Sequence, residues 1–202
     1  MRQLLLPIAA VVVAMAAFQV SAAFAKQLFP LLGPDGAAAL RLTLGALMLV
    51  VLTRPWRGLR RDAPWGALLG LGVSTGVAVL MFYAAIDRLP LGVAIALQFL
   101  GPLGVALAGS RRLRDLAWAA LAAAGVWALV GRGVGEAALD PLGIAFALAA
   151  AAGWAGYILF GRVAGGAFRN SAAATFSTAI AAVIVLPFGV AEAGAALLTP
   201  AL

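Results

Sequence analysis

Arg41 is the single charge set within an apolar stretch of this chain, and that position narrows its chemistry. A guanidinium about five residues, or roughly 7.5 Å, inside an apolar helix needs a carboxylate, water or carbonyl partners. Arg41 would bind the carboxylate of a solute or pair with an acid from another helix; otherwise it snorkels outward and fixes helix depth. Gln98, also in an apolar stretch, can hydrogen-bond a solute but cannot titrate, or it bonds a neighbouring helix. Gln19, Tyr83, Trp154 and Tyr157 complete the candidate lining of a central cavity. Ser21, Ser74 and Thr75 are weaker candidates, because a hydroxyl within a helix readily bonds a carbonyl of its own backbone.

Catalysis has no residues to stand on. The chain holds no cysteine and no histidine, which removes disulfides, thiolate chemistry, haem ligation and histidine metal sites together. No phosphate-binding loop, triad or metal-ligand spacing appears, so neither catalytic residues nor a cofactor nor a metal is expected. No Asp or Glu lies inside any apolar stretch, so a proton-coupling carboxylate would have to sit at a helix end or outside these residues.

The elements that must position these side chains are apolar stretches separated by arginines. They run roughly 4–25, 36–53, 64–86, 91–109, 116–130, 141–160 and 171–190, and most are long enough for a hydrocarbon layer about 30 Å thick. Arginines occupy every second gap: Arg54, Arg57, Arg60 and Arg61, then Arg111, Arg112 and Arg114, then Arg162 and Arg169. With Arg2 these outweigh Asp62 and Asp115, leaving a net +8 on one side. The other side holds Lys26, Arg88 and Arg132 against Asp35, Asp87, Glu136, Asp140 and Glu192, a net −2. The positive-inside rule then puts the N-terminus in the cytoplasm and the end of the seventh helix outside. The fold class is an all-α, polytopic transmembrane bundle of about seven helices.

Composition agrees. The chain is 65% apolar and 10% charged, against about a quarter charged in soluble proteins. Its basic balance would suggest nucleic acid in a soluble protein, but the arginines are confined to short loops, where they fix topology and meet anionic lipid head groups. The expected partners are a small-molecule substrate and the lipid bilayer, with no nucleic acid. One lysine against thirteen arginines, with abundant alanine, suggests a GC-rich bacterial genome, and the expected location is the bacterial cytoplasmic membrane, crossed several times. Met1-Arg2, the apolar run that follows and Ala23-Phe24-Ala25 have the form of a cleavable signal, but the same stretch matches a later helix of the chain. Trp56, Trp118 and Trp127 read as interfacial anchors.

That match is a repeat at an offset of 136 residues: Phe18 pairs with Trp154, Phe24 with Phe160, Lys26 with Arg162, and Arg41 with Ser177. Five helices separate the copies, so the second enters the membrane from the opposite side, as in transporters built from inverted repeats. Between the copies, Asp87 to Pro90 makes a tight turn, and Gly101-Pro102 is expected to break the fourth helix near mid-membrane.

The run from Tyr83 to Arg114, with Gly153-Trp154, Tyr157 and Leu186-Pro187-Phe188-Gly189, resembles the EamA-type members of the drug/metabolite transporter superfamily, in their threonine/homoserine exporter-like branch. The resemblance covers essentially the whole chain. It implies a ten-helix carrier of two inverted five-helix repeats, with residues 1–130 as the first repeat, 131–140 as an external connector and 141–202 as helices six and seven. It also implies an exporter of amino acids or related small metabolites. A glutamate often stands in such exporters where this chain has Gln98. The chain stops after the seventh helix, at Thr199-Pro200-Ala201-Leu202, so the expectation is a truncated chain that does not transport by itself. The competing reading is a non-transporting fragment or scaffold; transport by the chain alone would point to a homodimer whose second copy supplies the missing wall. A seven-helix receptor is disfavoured, since helix seven has no lysine for a Schiff base and such a receptor has no inverted repeat.

Overall fold

A computed structural model describes residues 2–58, 64–110, 113–132, 140–168, 171–194 and 196. Arg60, Arg61, Asp62, Arg111, Arg112, Glu136, Arg169 and Thr199-Pro200-Ala201-Leu202 lie outside the described residues. The helices are α1 (Arg2–Gln27), α2 (Phe29–Thr53), α3 (Trp65–Arg88), α4 (Leu91–Gln98), α5 (Leu100–Ala108), α6 (Leu113–Arg132), α7 (Pro141–Ala167) and α8 (Ala172–Ala193), with a 3-10 turn at Pro55–Gly58. No strand occurs among the described residues, and the protein is a polytopic helical bundle. Five stretches are long and apolar enough to span a bilayer: Phe29–Thr53, Trp65–Arg88, Leu91–Ala108, Pro141–Ala167 and Ala172–Ala193. Val12–Gln27 and Asp115–Ala128 are shorter apolar stretches. The cleavage-like Ala23-Phe24-Ala25 lies inside the continuous α1.

Lipid is as apolar as leucine, so these helices associate through close packing of small residues rather than by escaping water. α3 and α7 lie antiparallel along their length, with Leu71 near Gly161, Ala78 against Gly153 and Leu89 against Gly143. A Cβ at Gly153 would come within 2.7 Å of the Ala78 nitrogen, so only glycine permits this approach. α2 and α8 are also antiparallel: Gly36 at one end of α2 faces Gly189, and Thr53 at the other end meets Thr175. The larger core cluster joins these pairs through Ala38, Tyr83, Ile86, Ala147 and Val185. Large apolar side chains such as Leu52 and Val183 point away from it, where lipid solvates them.

Three local features depart from regular helix. α2 begins earlier than its apolar run suggests and bends at Gly33, whose φ of 69° lies in the left-handed region that glycine tolerates. Pro34 then starts the second segment, and the Glu192 carboxylate accepts from the Asp35 and Gly36 amides at 2.6 and 3.1 Å. Carboxylates favour helix N-termini for this reason.

The second departure lies one turn before the expected break at Gly101-Pro102. The fourth span is interrupted at Phe99, between α4 and α5, while Gly101 and Pro102 both lie inside α5. Pro102 has no N–H to give the carbonyl four residues back, which belongs to Gln98, so the irregularity appears N-terminal to the proline. Third, Leu89-Pro90 makes the turn into α4, and Asp140 caps α7 by accepting from the Leu142 amide at 3.0 Å, with Pro141 as the first helical residue. Arg88 donates to Asp140 at 3.1 Å and ties the end of α3 to the start of α7; that hydrogen bond, with the Leu142 amide, holds the Asp140 carboxyl below its ordinary pKa.

Candidate functional site

Gln98, at the end of α4 beside the interruption at Phe99, lies on the wall of a cavity of about 880 Å³ between α1, α4, α5 and α7. Its wall includes Ala14, Phe18, Gln19, Gln98, Trp154 and Tyr157, with Phe99 and Pro102 beside them. Gln98 is only 5% exposed. The Trp154 Nε1–H donates to Gln98 Oε1 at 2.9 Å, and this bond sets the orientation of the carboxamide. With its oxygen engaged by the indole, Gln98 keeps two N–H donors for a neighbour or a solute. The sequence left open whether Gln98 lines a cavity or bonds another helix, and in the structure it does both.

Aromatic rings form much of the remaining wall. Trp154 meets Tyr157 edge-on at 5.4 Å and Phe18 edge-on at 5.8 Å between ring centroids. Such pairs are geometrically specific and hold one another in place. Tyr157 also borders a smaller groove of about 370 Å³ between α3, α7 and α8, with Arg162 at its edge.

Arg41 is placed differently. Its Nη1 donates to the Tyr83 hydroxyl at 3.2 Å, and its guanidinium carbon stands 4.5 Å from the Phe18 ring centroid and 5.9 Å from that of Tyr83. Tyr83 is fully buried and packs on Phe29. Of the six expected site residues, Gln19, Gln98, Trp154 and Tyr157 thus share the cavity wall, whereas Arg41 and Tyr83 form a hydrogen-bonded pair outside it, with Arg41 against the Phe18 ring. Ser21 and Ser74 are absent from the wall, and Thr75 bonds the Leu71 carbonyl at 2.7 Å.

Phe18 links the two groups and was not among the expected site residues. Its signal in the sequence was its pairing with Trp154 across the 136-residue repeat, and those two rings are in contact. Phe99 carried no signal beyond its place next to Gln98. No carboxylate lines the cavity among the described residues, nor do those residues hold a group of three metal-ligating side chains. The chamber therefore offers hydrogen-bond donors and π-faces, a set suited to holding a small polar solute.

Comparisons with known proteins place the chain among transporters. The chain is 46% identical over 192 residues to the threonine/homoserine exporter RhtA of Escherichia coli K12, a match covering 95% of this chain and 65% of the exporter. It is 44% identical, over the same shares, to the exporter of that name from Salmonella typhimurium LT2. The chain thus spans 65% of the length of these relatives. No solved structure matches it. Residues 5–131 match the family described as EamA-like transporters, and the chain belongs to that family.

Proposed function

We propose that the protein exports a small hydroxylated α-amino acid of the threonine or homoserine class across a bacterial cytoplasmic membrane. The observation that carries this reading is the Trp154–Gln98 hydrogen bond on the wall of the central cavity. It fixes two amide donors where a solute's hydroxyl or carboxylate oxygen can accept them. The rings of Trp154 and Tyr157 offer π-faces to the ammonium group. Kinship with exporters of threonine and homoserine supports this substrate class.

In this reading residues 1–130 form the first five-helix repeat, 131–140 an external connector, and 141–202 the opening helices of the second repeat. The N-terminus and the arginine-rich ends face the cytoplasm, as their charge excess favours. The test is efflux of labelled threonine and homoserine from loaded cells in which the gene is deleted, restored, or restored with Gln98→Ala. Restoration should speed efflux over the deletion, and Gln98→Ala should forfeit most of the gain at unchanged membrane abundance. Equal efflux with and without the gene would remove the transport reading and favour a scaffold.

A further inference from the structure

The Arg41 guanidinium carries five N–H donors, yet its one hydrogen bond among the described residues is the 3.2 Å contact to the Tyr83 hydroxyl. No ion pair to Arg41 occurs among those residues, and two aromatic rings flank its partly exposed side chain instead. A charge so placed is poised for an anion. The Phe18 ring, which lines the cavity, lies against the guanidinium at 4.5 Å from its centroid, with the Trp154 ring on its edge. Phe18 has room to move: Ala14 lies one helical turn before it on α1, where a helical side chain naturally leans, and Ala14 lines the open chamber.

We propose that Phe18 is a gate, and that Arg41 with Tyr83 behind it is a second carboxylate-binding station, occupied by the amino acid after the Gln98 chamber. This rests on the reading of the protein as an amino-acid carrier and divides its route into two steps. In the first, the solute sits against Gln98 and Trp154 with the guanidinium screened by the ring. In the second, Phe18 swings toward Ala14, and the carboxylate takes donors that the rings leave unused. A charge-assisted, bidentate bond replaces a cation–π contact, so the exchange favours the solute. Arg41 lies six residues, under two turns, from Asp35 on α2, and the Asp35 amide bonds Glu192 of α8, so the second station lies toward that end of the bundle.

The chain contains no cysteine, so Arg41→Cys introduces its sole thiol. In the protein reconstituted into lipid vesicles, an anionic methanethiosulfonate reagent should modify this thiol slowly while Phe18 is present. Adding Phe18→Ala should raise the rate at least about tenfold, whereas Phe18→Tyr, which keeps the ring, should leave it slow. Equal rates with and without the ring would overturn the gate. The second arm is equilibrium binding of labelled threonine beside efflux. Arg41→Gln should keep the dissociation constant within about twofold while lowering maximal efflux at least about tenfold, and Gln98→Ala should weaken binding itself. Loss of binding in Arg41→Gln equal to that in Gln98→Ala would show one station and overturn the proposal. If wild-type protein binds no amino acid, the carrier reading fails, and the thiol rates still decide whether Phe18 screens position 41.

Discussion

The hydroxyls of Thr53 and Thr175 lie 2.9 Å apart where the end of α2 meets the start of α8. Shifted by the 136-residue repeat, Thr53 becomes Gly189 and Thr175 becomes Ala39, and Ala39 and Gly189 pack together at the opposite ends of the same two helices. One contact is the image of the other. They differ in tolerance. A Cβ at Gly189 would meet Ala39 and come within 2.9 Å of the Asp35 carbonyl oxygen, part of a backbone that cannot turn away. Gly189→Leu should cost about 1–3 kcal/mol through overpacking. Thr53→Val, which gives up one interhelical hydrogen bond, should cost about 0.6 kcal/mol. Unfolding of the purified variants in detergent checks the order, and the reverse order would mean that α2 and α8 do not pack on this face.

Gly101 and Gly104 make a matched pair on α5. A Cβ at Gly101 would run into the Ala151 carbonyl of α7, whereas one at Gly104 meets nothing within 4 Å. Gly104→Ala should be neutral or raise stability by up to about 1 kcal/mol, since alanine is the better helix former. Gly101→Ala should lower stability and disturb the neighbouring cavity wall. Thermal melting of the two single variants is the measurement.

The Arg88–Asp140 bridge predicts an acid-side loss of stability. Asp140 is held below its ordinary pKa of 3.8 chiefly by the Arg88 hydrogen bond, then by the Leu142 amide. A depressed folded-state pKa contributes stability that is present above 3.8 and fades as pH falls through the folded value. Asp140→Asn should therefore be less stable than wild type near neutral pH, with the gap closing in strong acid. The pair is exposed, so the gap should also shrink in high salt. Melting curves at several pH values and two salt concentrations test both statements.

The proposed orientation makes a plain prediction for reporter fusions. A fusion after Arg114 should report the cytoplasm and one after Pro90 the outside, following the excess of arginine at one end of the bundle. A cytoplasmic signal at Pro90 would invert the topology.

The helices were legible because arginine clusters and the Asp87–Pro90 turn bracket long apolar runs. Which face each helix turns inward was much less so. A helix that is apolar all round has no stripe to mark its packed side, and lipid sets no preference among its apolar residues. Gln98 and Trp154 were both singled out, yet nothing local announces that residues 56 positions apart share a hydrogen bond. Arg41 was recognised by its charge, but the screening by Phe18 depends on how α1 rotates against α2. The bend at Gly33 packs against Glu192, which lies 157 residues from Asp35 along the chain, so no local pattern shows the pairing. The missing Pro102 N–H acts one turn earlier, at the Gln98 carbonyl, so the irregularity expected from Gly101-Pro102 lies at Phe99.

The central claim is that the chamber at Gln98 and Trp154 holds the proposed amino acid, and equilibrium binding of labelled threonine to the purified protein tests it most directly. Wild type should bind saturably. Gln98→Ala should weaken binding about tenfold or more, as expected for losing a hydrogen bond to a charged group, and Trp154→Phe should weaken it less by freeing the carboxamide to turn. Gln98→Ala protein that is folded and binds threonine as tightly as wild type would contradict the account.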